Sequence, residues 1–110
     1  MTKTDLERFD AFRRIGCVAC RKEGLGIQAA DVHHLLSGGR RRGHRFTIPL
    51  CPWHHRGATM QCSRADMTED FGPSLAHGSK AFRARYGTDD ELLAYTDHAI
   101  AAIIERGIVK

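Results

Sequence analysis

The chain has 110 residues, a net charge of +4, and 42% hydrophobic against 27% charged residues. That size supports one domain with a modest core, so residues 1–110 are read as a single unit, and no apolar run reaches the roughly 18 residues of a membrane helix. The opening Met1-Thr2-Lys3-Thr4-Asp5 has no apolar stretch behind it; without a secretory signal, a cytoplasmic location is the expectation.

Residues 4–15 place Leu6, Phe9, Phe12 and Ile15 three apart, which is helical spacing with one buried face. Thr4 and Glu7 suit a capping box at its start, and Gly16 ends it. Cys17-Val18-Ala19-Cys20 follows, then a turn-rich stretch through Gly24 and Gly26. Residues 27–36 read as a short strand or extended segment around Val32. The loop Ser37-Gly38-Gly39 leads into Arg40, Arg41, Arg42 and Arg45, a basic cluster suited to a polyanion, or else a solvated basic loop. Residues 46–50 form a β-type run into Cys51, with Pro49 at a sheet edge or strand end. A short helix is expected from Pro52 to Gly57, then an irregular loop over 58–73, in keeping with a functional or mobile segment. A helix over 79–86 carries Phe82 and Tyr86 and closes at Gly87. Thr88 and Glu91 form a capping box for the last helix, expected over 89–106 with Gly107 as its stop. Its buried face would hold Leu92, Leu93, Ala99, Ile100, Ile103 and Ile104. No internal repeat, low-complexity tract or heptad pattern is present, and a monomer is expected.

Four cysteines in a cytosolic chain point to metal rather than disulfides. Cys17-x-x-Cys20 lets two thiolates reach one ion from a tight turn, and Cys51-Pro52-Trp53-His54 repeats the spacing. A structural zinc held by Cys17, Cys20, Cys51 and His54 is the expectation, with Cys62 as the alternative to His54. The competing reading is that these are buried free thiols. Trp53 is read as a packing anchor beneath the knuckle.

Two histidine doublets, His33-His34 and His54-His55, are poor core filler. Neighbouring side chains on a strand face opposite ways, so one imidazole of the first doublet can hold a metal while the other meets a different partner. The order Cys-x-x-Cys, Val32-His33-His34-Leu35, then Thr47-Ile48-Pro49-Leu50-Cys51-Pro52-Trp53-His54-His55 resembles the HNH nucleases. Within them it is most similar to the phage Ref group of RecA-dependent recombination-enhancement nucleases, as is the stretch from His77 to Gly87. The resemblance spans roughly residues 17–87.

That resemblance implies an α+β fold: a small ββα-metal (HNH, or His-Me finger) core with a zinc knuckle and flanking helices. It implies a β-hairpin and helix gripping one divalent ion, with His34 as general base, His33 and His55 as ion ligands and His77 as a third. His44 falls near the middle position of the pattern, usually Asn or Asp, which orients the base; a histidine there departs from the pattern. The activity implied is DNA phosphodiester hydrolysis with magnesium, manganese or zinc, and the partners implied are DNA and a RecA filament. Arg40, Arg41, Arg42 and Arg45 would hold flanking phosphates without sequence preference. The alternative for His77 is a surface loop histidine, and for His44 a place in the basic patch. Lys80, Arg83 and Arg85 suit either DNA contact or a solvated helix face, and His98 reads as structural. The runner-up is a zinc-stabilised DNA-binding or adaptor module without catalysis. A zinc deaminase is a weak third reading, since its His-x-Glu base motif occurs nowhere in the chain.

Overall fold

A computed structural model describes residues 1–105. Helix α1 (Lys3–Ile15) starts slightly earlier than expected. Thr2, not Thr4, is the N-cap, and it exchanges hydrogen bonds with Asp5 in a capping box. Ala11, Phe12 and Ile15 are buried, whereas Leu6 is 54% exposed. The fully buried part of the apolar stripe therefore lies in the second half of the helix, and α1 packs on α6 (Asp89–Glu105). Cys17 caps α2 (Val18–Lys22) by accepting the Cys20 amide on its sulfur.

Strand β1 (Asp31–His34) pairs antiparallel with β4 (Thr47–Leu50), matching His33 with Ile48 and His34 with Thr47. Between them, β2 (Leu36–Ser37) and β3 (Arg40–Arg41) form a small exposed ribbon that carries the first arginines. All of β4 is buried, because α2 and α6 pack on it. Pro49 fits, since each strand of a two-stranded sheet is an edge. Cys51 then caps α3 (Pro52–Arg56), repeating the Cys17 arrangement with the His54 amide. The β1–β4–α3 unit is thus two strands and a helix, joined directly to the second cysteine knuckle. The architecture is α+β.

The expected irregular loop over 58–73 contains a helix, α4 (Arg64–Phe71), capped by Ser63. Met67 is its one buried residue, so its eight residues lack the repeated apolar spacing that announces a helix. A 3₁₀ turn (Leu75–His77) leads to α5 (Ser79–Tyr86), which buries Phe82 and Tyr86 as expected. The Thr88–Glu91 capping box opens α6. Leu92 and Thr96 are its buried residues, Ile100 and Ile103 are half-buried, and Ile104 is exposed. Its expected end at Arg106 and Gly107 lies outside the described residues. No helix among these residues is long and apolar enough to cross a membrane.

Candidate functional site

The two knuckles close on each other at the centre of the core. Donor atoms of Cys17, Cys20, Cys51 and His54 all lie within 4.8 Å of one another. The Cys20 and Cys51 sulfurs are 3.8 Å apart, and His54 Nδ1 lies 3.2–3.5 Å from the three sulfurs. A tetrahedral zinc with its usual bond lengths needs ~3.8 Å between sulfurs and ~3.6 Å from sulfur to nitrogen. The residues therefore fit that ion. The donor chemistry agrees: hydrogen bonding to Cys17 and Cys51 pushes the Cys20 thiol up, while hydrogen bonding to Cys17 and Cys20 pulls Cys51 down. Three adjacent sulfurs cannot all lose their protons without a cation among them.

An outer shell fixes the ring of His54. Its Nε2 carries the proton, since Nδ1 faces the sulfurs, and donates to the Phe71 carbonyl oxygen at 2.8 Å. The Tyr86 hydroxyl lies 3.2 Å from the same nitrogen and donates to Glu23 Oε2, and Arg85 holds Glu23 Oε1. Gly72 makes room for this network, because a Cβ there would collide with the Tyr86 hydroxyl and Glu23. Cys62 is exposed, its sulfur beside the Met60 carbonyl, outside this cluster; His54 takes the fourth place. Trp53 is the expected anchor: it is buried, and its Nε1 donates to the Gly72 carbonyl oxygen.

A second set of histidines meets between β1 and α3. The rings of His33, on β1, and His55, on α3, have centroids 5.0 Å apart. Burial, with His55 alongside, holds the His33 pKa down at about 4, so its imidazole is neutral at pH 7. His55 Nδ1 donates to Asp31 Oδ2 at 3.2 Å, and Arg56 Nε donates to the same oxygen at 2.9 Å. With Nδ1 committed to a carboxylate, Nε2 is the nitrogen left for another partner, the arrangement found for metal-bound histidines. Asp31 is a site residue that the motifs do not name. Its signal in the chain is its position two residues before His33, which puts it on the same strand face.

His34 faces the opposite way, as strand alternation requires. Its Nε2 lies 3.1 Å from His44 Nδ1. Burial, the Arg41 charge and His44 keep its pKa below the usual value. His44 also meets the edge of the Phe9 ring at 5.8 Å, so α1 backs this pair.

His77 is not brought to His33 and His55. It packs against Trp53, with ring centroids 5.5 Å apart, and its Nε2 faces the Gly57 carbonyl at 3.4 Å. Trp53 and Gly57 lie about 40° apart around the axis of α3, whereas His55 is about 160–200° away. The ring of His77 thus occupies the opposite face of that helix. It also explains Gly57: φ is +70° and a Cβ would strike the His77 imidazole. Among the described residues, the Cys17/Cys20/Cys51/His54 cluster is the one group of three or more such donors drawn this close together.

Arg40, Arg41 and Arg45 are exposed, with no carboxylate partner among the described residues. Arg42 instead pairs with Asp90 and stacks on Phe46. Arg83 and Arg85 are tied to Asp89 and Glu23. Lys80 and His98 are exposed on their helices. A family model described as "Recombination enhancement, RecA-dependent nuclease" matches residues 1–101.

Proposed function

Because the chain belongs to the family of recombination-enhancement, RecA-dependent nucleases, we propose that it is a divalent-metal-dependent DNA endonuclease of the HNH type. His33 and His55 hold one ion, and His34 is the general base. The observation that carries this reading is the 5.0 Å approach of the His33 and His55 rings while His34, next on the same strand, turns to His44. A magnesium, manganese or zinc ion there would polarise a phosphate oxygen and stabilise the leaving oxygen.

The chain's own residues do the rest. Asp31 fixes the ring of His55 with Nε2 free. For His34 to accept a proton on Nδ1, its Nε2 must carry one, and His44 Nδ1 is placed to receive that hydrogen bond. The histidine at the middle position thus takes over the orienting role of the usual Asn or Asp. Arg40, Arg41 and Arg45 give phosphate contacts of no sequence preference. The RecA filament is the partner that brings the substrate strand. His77 stays out of the ligand set and serves packing at the end of α3.

The test is nicking or cleavage of DNA with magnesium or manganese, alone and on RecA filaments. His34→Ala should lose about 10²–10⁴-fold in rate with the fold retained. Wild-type protein that leaves every DNA form intact under all these conditions would end the proposal. A zinc-stabilised DNA-binding module is the second reading, favoured by the single tight donor cluster among the described residues. Metal analysis separates the two: two ions per chain for the nuclease, one for the module.

A further inference from the structure

We propose that Arg8 is a positioning residue for nuclease chemistry, holding Thr47 and, through it, holding His44 against His34. The inference rests on the general-base reading of His34. Arg8 lies on α1 with its side chain only 11% exposed. All three guanidinium nitrogens are committed. Nε donates to Thr47 Oγ1 at 3.0 Å, Nη2 to the Thr47 carbonyl oxygen at 2.5 Å, and Nη1 to Asp97 Oδ1 at 2.6 Å.

Thr47 is fully buried and stands opposite His34 in the β1–β4 ladder. Its hydroxyl accepts from Arg8 and donates its only proton to the His44 carbonyl oxygen at 2.7 Å. Arg8 thereby fixes the rotation of that hydroxyl, and the hydroxyl fixes the backbone of His44. The His44 ring then meets His34 Nε2 at 3.1 Å. Phe9, the residue after Arg8, supports the same ring from the side.

A simple brace between α1 and α6 would need only the Arg8–Asp97 pair. The other two bonds go instead to Thr47, whose hydroxyl holds the His44 carbonyl, and Asp97 neutralises and aims the guanidinium that makes them. A lysine cannot replace that planar fork, because its ammonium is a single point charge.

The experiment measures DNA cleavage by the full chain for Arg8→Gln, Arg8→Lys, Thr47→Val and Thr47→Ser, with thermal melting and zinc content alongside. Arg8→Gln and Thr47→Val should lower kcat by about 10–100-fold with KM within about twofold, the cost of a misplaced catalytic group. Thr47→Ser, which keeps the hydroxyl, should restore the rate, and Arg8→Lys should not. In a His44→Ala background Arg8→Gln should cost less than about twofold, because the path is already cut. Folded Arg8→Gln protein at the wild-type kcat, or losses that multiply with His44→Ala, would overturn the inference. If Arg8→Gln does not fold, the Thr47→Val and Thr47→Ser pair decides by the same criterion. If His34→Ala cleaves like wild type, the base reading falls and this inference with it. If His34→Ala is inactive while Arg8→Gln is not impaired, the inference about Arg8 alone falls.

Discussion

Replacing Cys20 with serine removes one of four donors from a cluster that joins knuckles 31 residues apart. Cys17, Cys20 and Cys51 sit in the same core cluster as Leu50, Trp53, Met67 and Phe82. An ion held there would therefore close the core and not a surface loop. A structural zinc contributes roughly 10–16 kcal/mol, and a chain of this length has a total stability of only about 5–15 kcal/mol. Losing even about 4 kcal/mol lowers the melting temperature by about 15–30 °C. Cys20→Ser should bind far less than one zinc and melt that much lower or be unfolded, as read by metal analysis and circular dichroism. Chelation of the wild type should do the same. Cys62→Ser is the matched control: its sulfur is exposed, so its zinc content should be full and its stability within about 0.5 kcal/mol of wild type. Cys20→Ser melting within a few degrees of wild type, or Cys62→Ser losing the metal, would refute the reasoning.

If His33 and His55 hold the proposed catalytic ion, Asp31→Ala should weaken its binding by about 10–100-fold, because His55 loses the carboxylate that orients it; a manganese titration of cleavage rate reads this, and an unchanged titration curve counts against the ligand role of His55. Alanine at Arg40, Arg41 and Arg45 together should flatten the salt dependence of duplex binding, by a slope of about 0.9 for each phosphate left without its arginine; the check is affinity measured across a salt series. Burial raises the Glu23 pKa, but hydrogen bonds from Arg85 and Tyr86 outweigh it and bring the carboxyl below its usual 4.5. A lowered carboxyl pKa stabilises the fold above the unfolded value and loses that effect as pH falls through the folded one. The stability gap between wild type and Glu23→Gln should thus be fully present at neutral pH and shrink below about pH 4.5, as followed by denaturant midpoints.

Some of this protein is written locally. Ligands three residues apart on a tight turn define half a zinc site wherever the chain goes, so Cys17, Cys20, Cys51 and His54 are legible as a set. Strand alternation separates His33 from His34, and the capping box at Thr88 marks the start of α6. The helix α4 is not legible, because one buried methionine gives no period to read. Asp31 leaves a readable mark, its spacing from His33, but only the fold shows that its partner is His55.

The sequence by itself determined the chemistry available: three thiols and an imidazole suited to one ion, two histidine doublets, and a basic cluster. Only the tertiary structure decided which groups meet. It paired His34 with His44, put His77 on the far face of α3, and carried Arg8 from α1 to Thr47, 39 residues away. The physical reason is range. Spacing along the chain constrains neighbours within a turn or a strand, while encounters between distant elements depend on strand register and on how helices pack over the sheet.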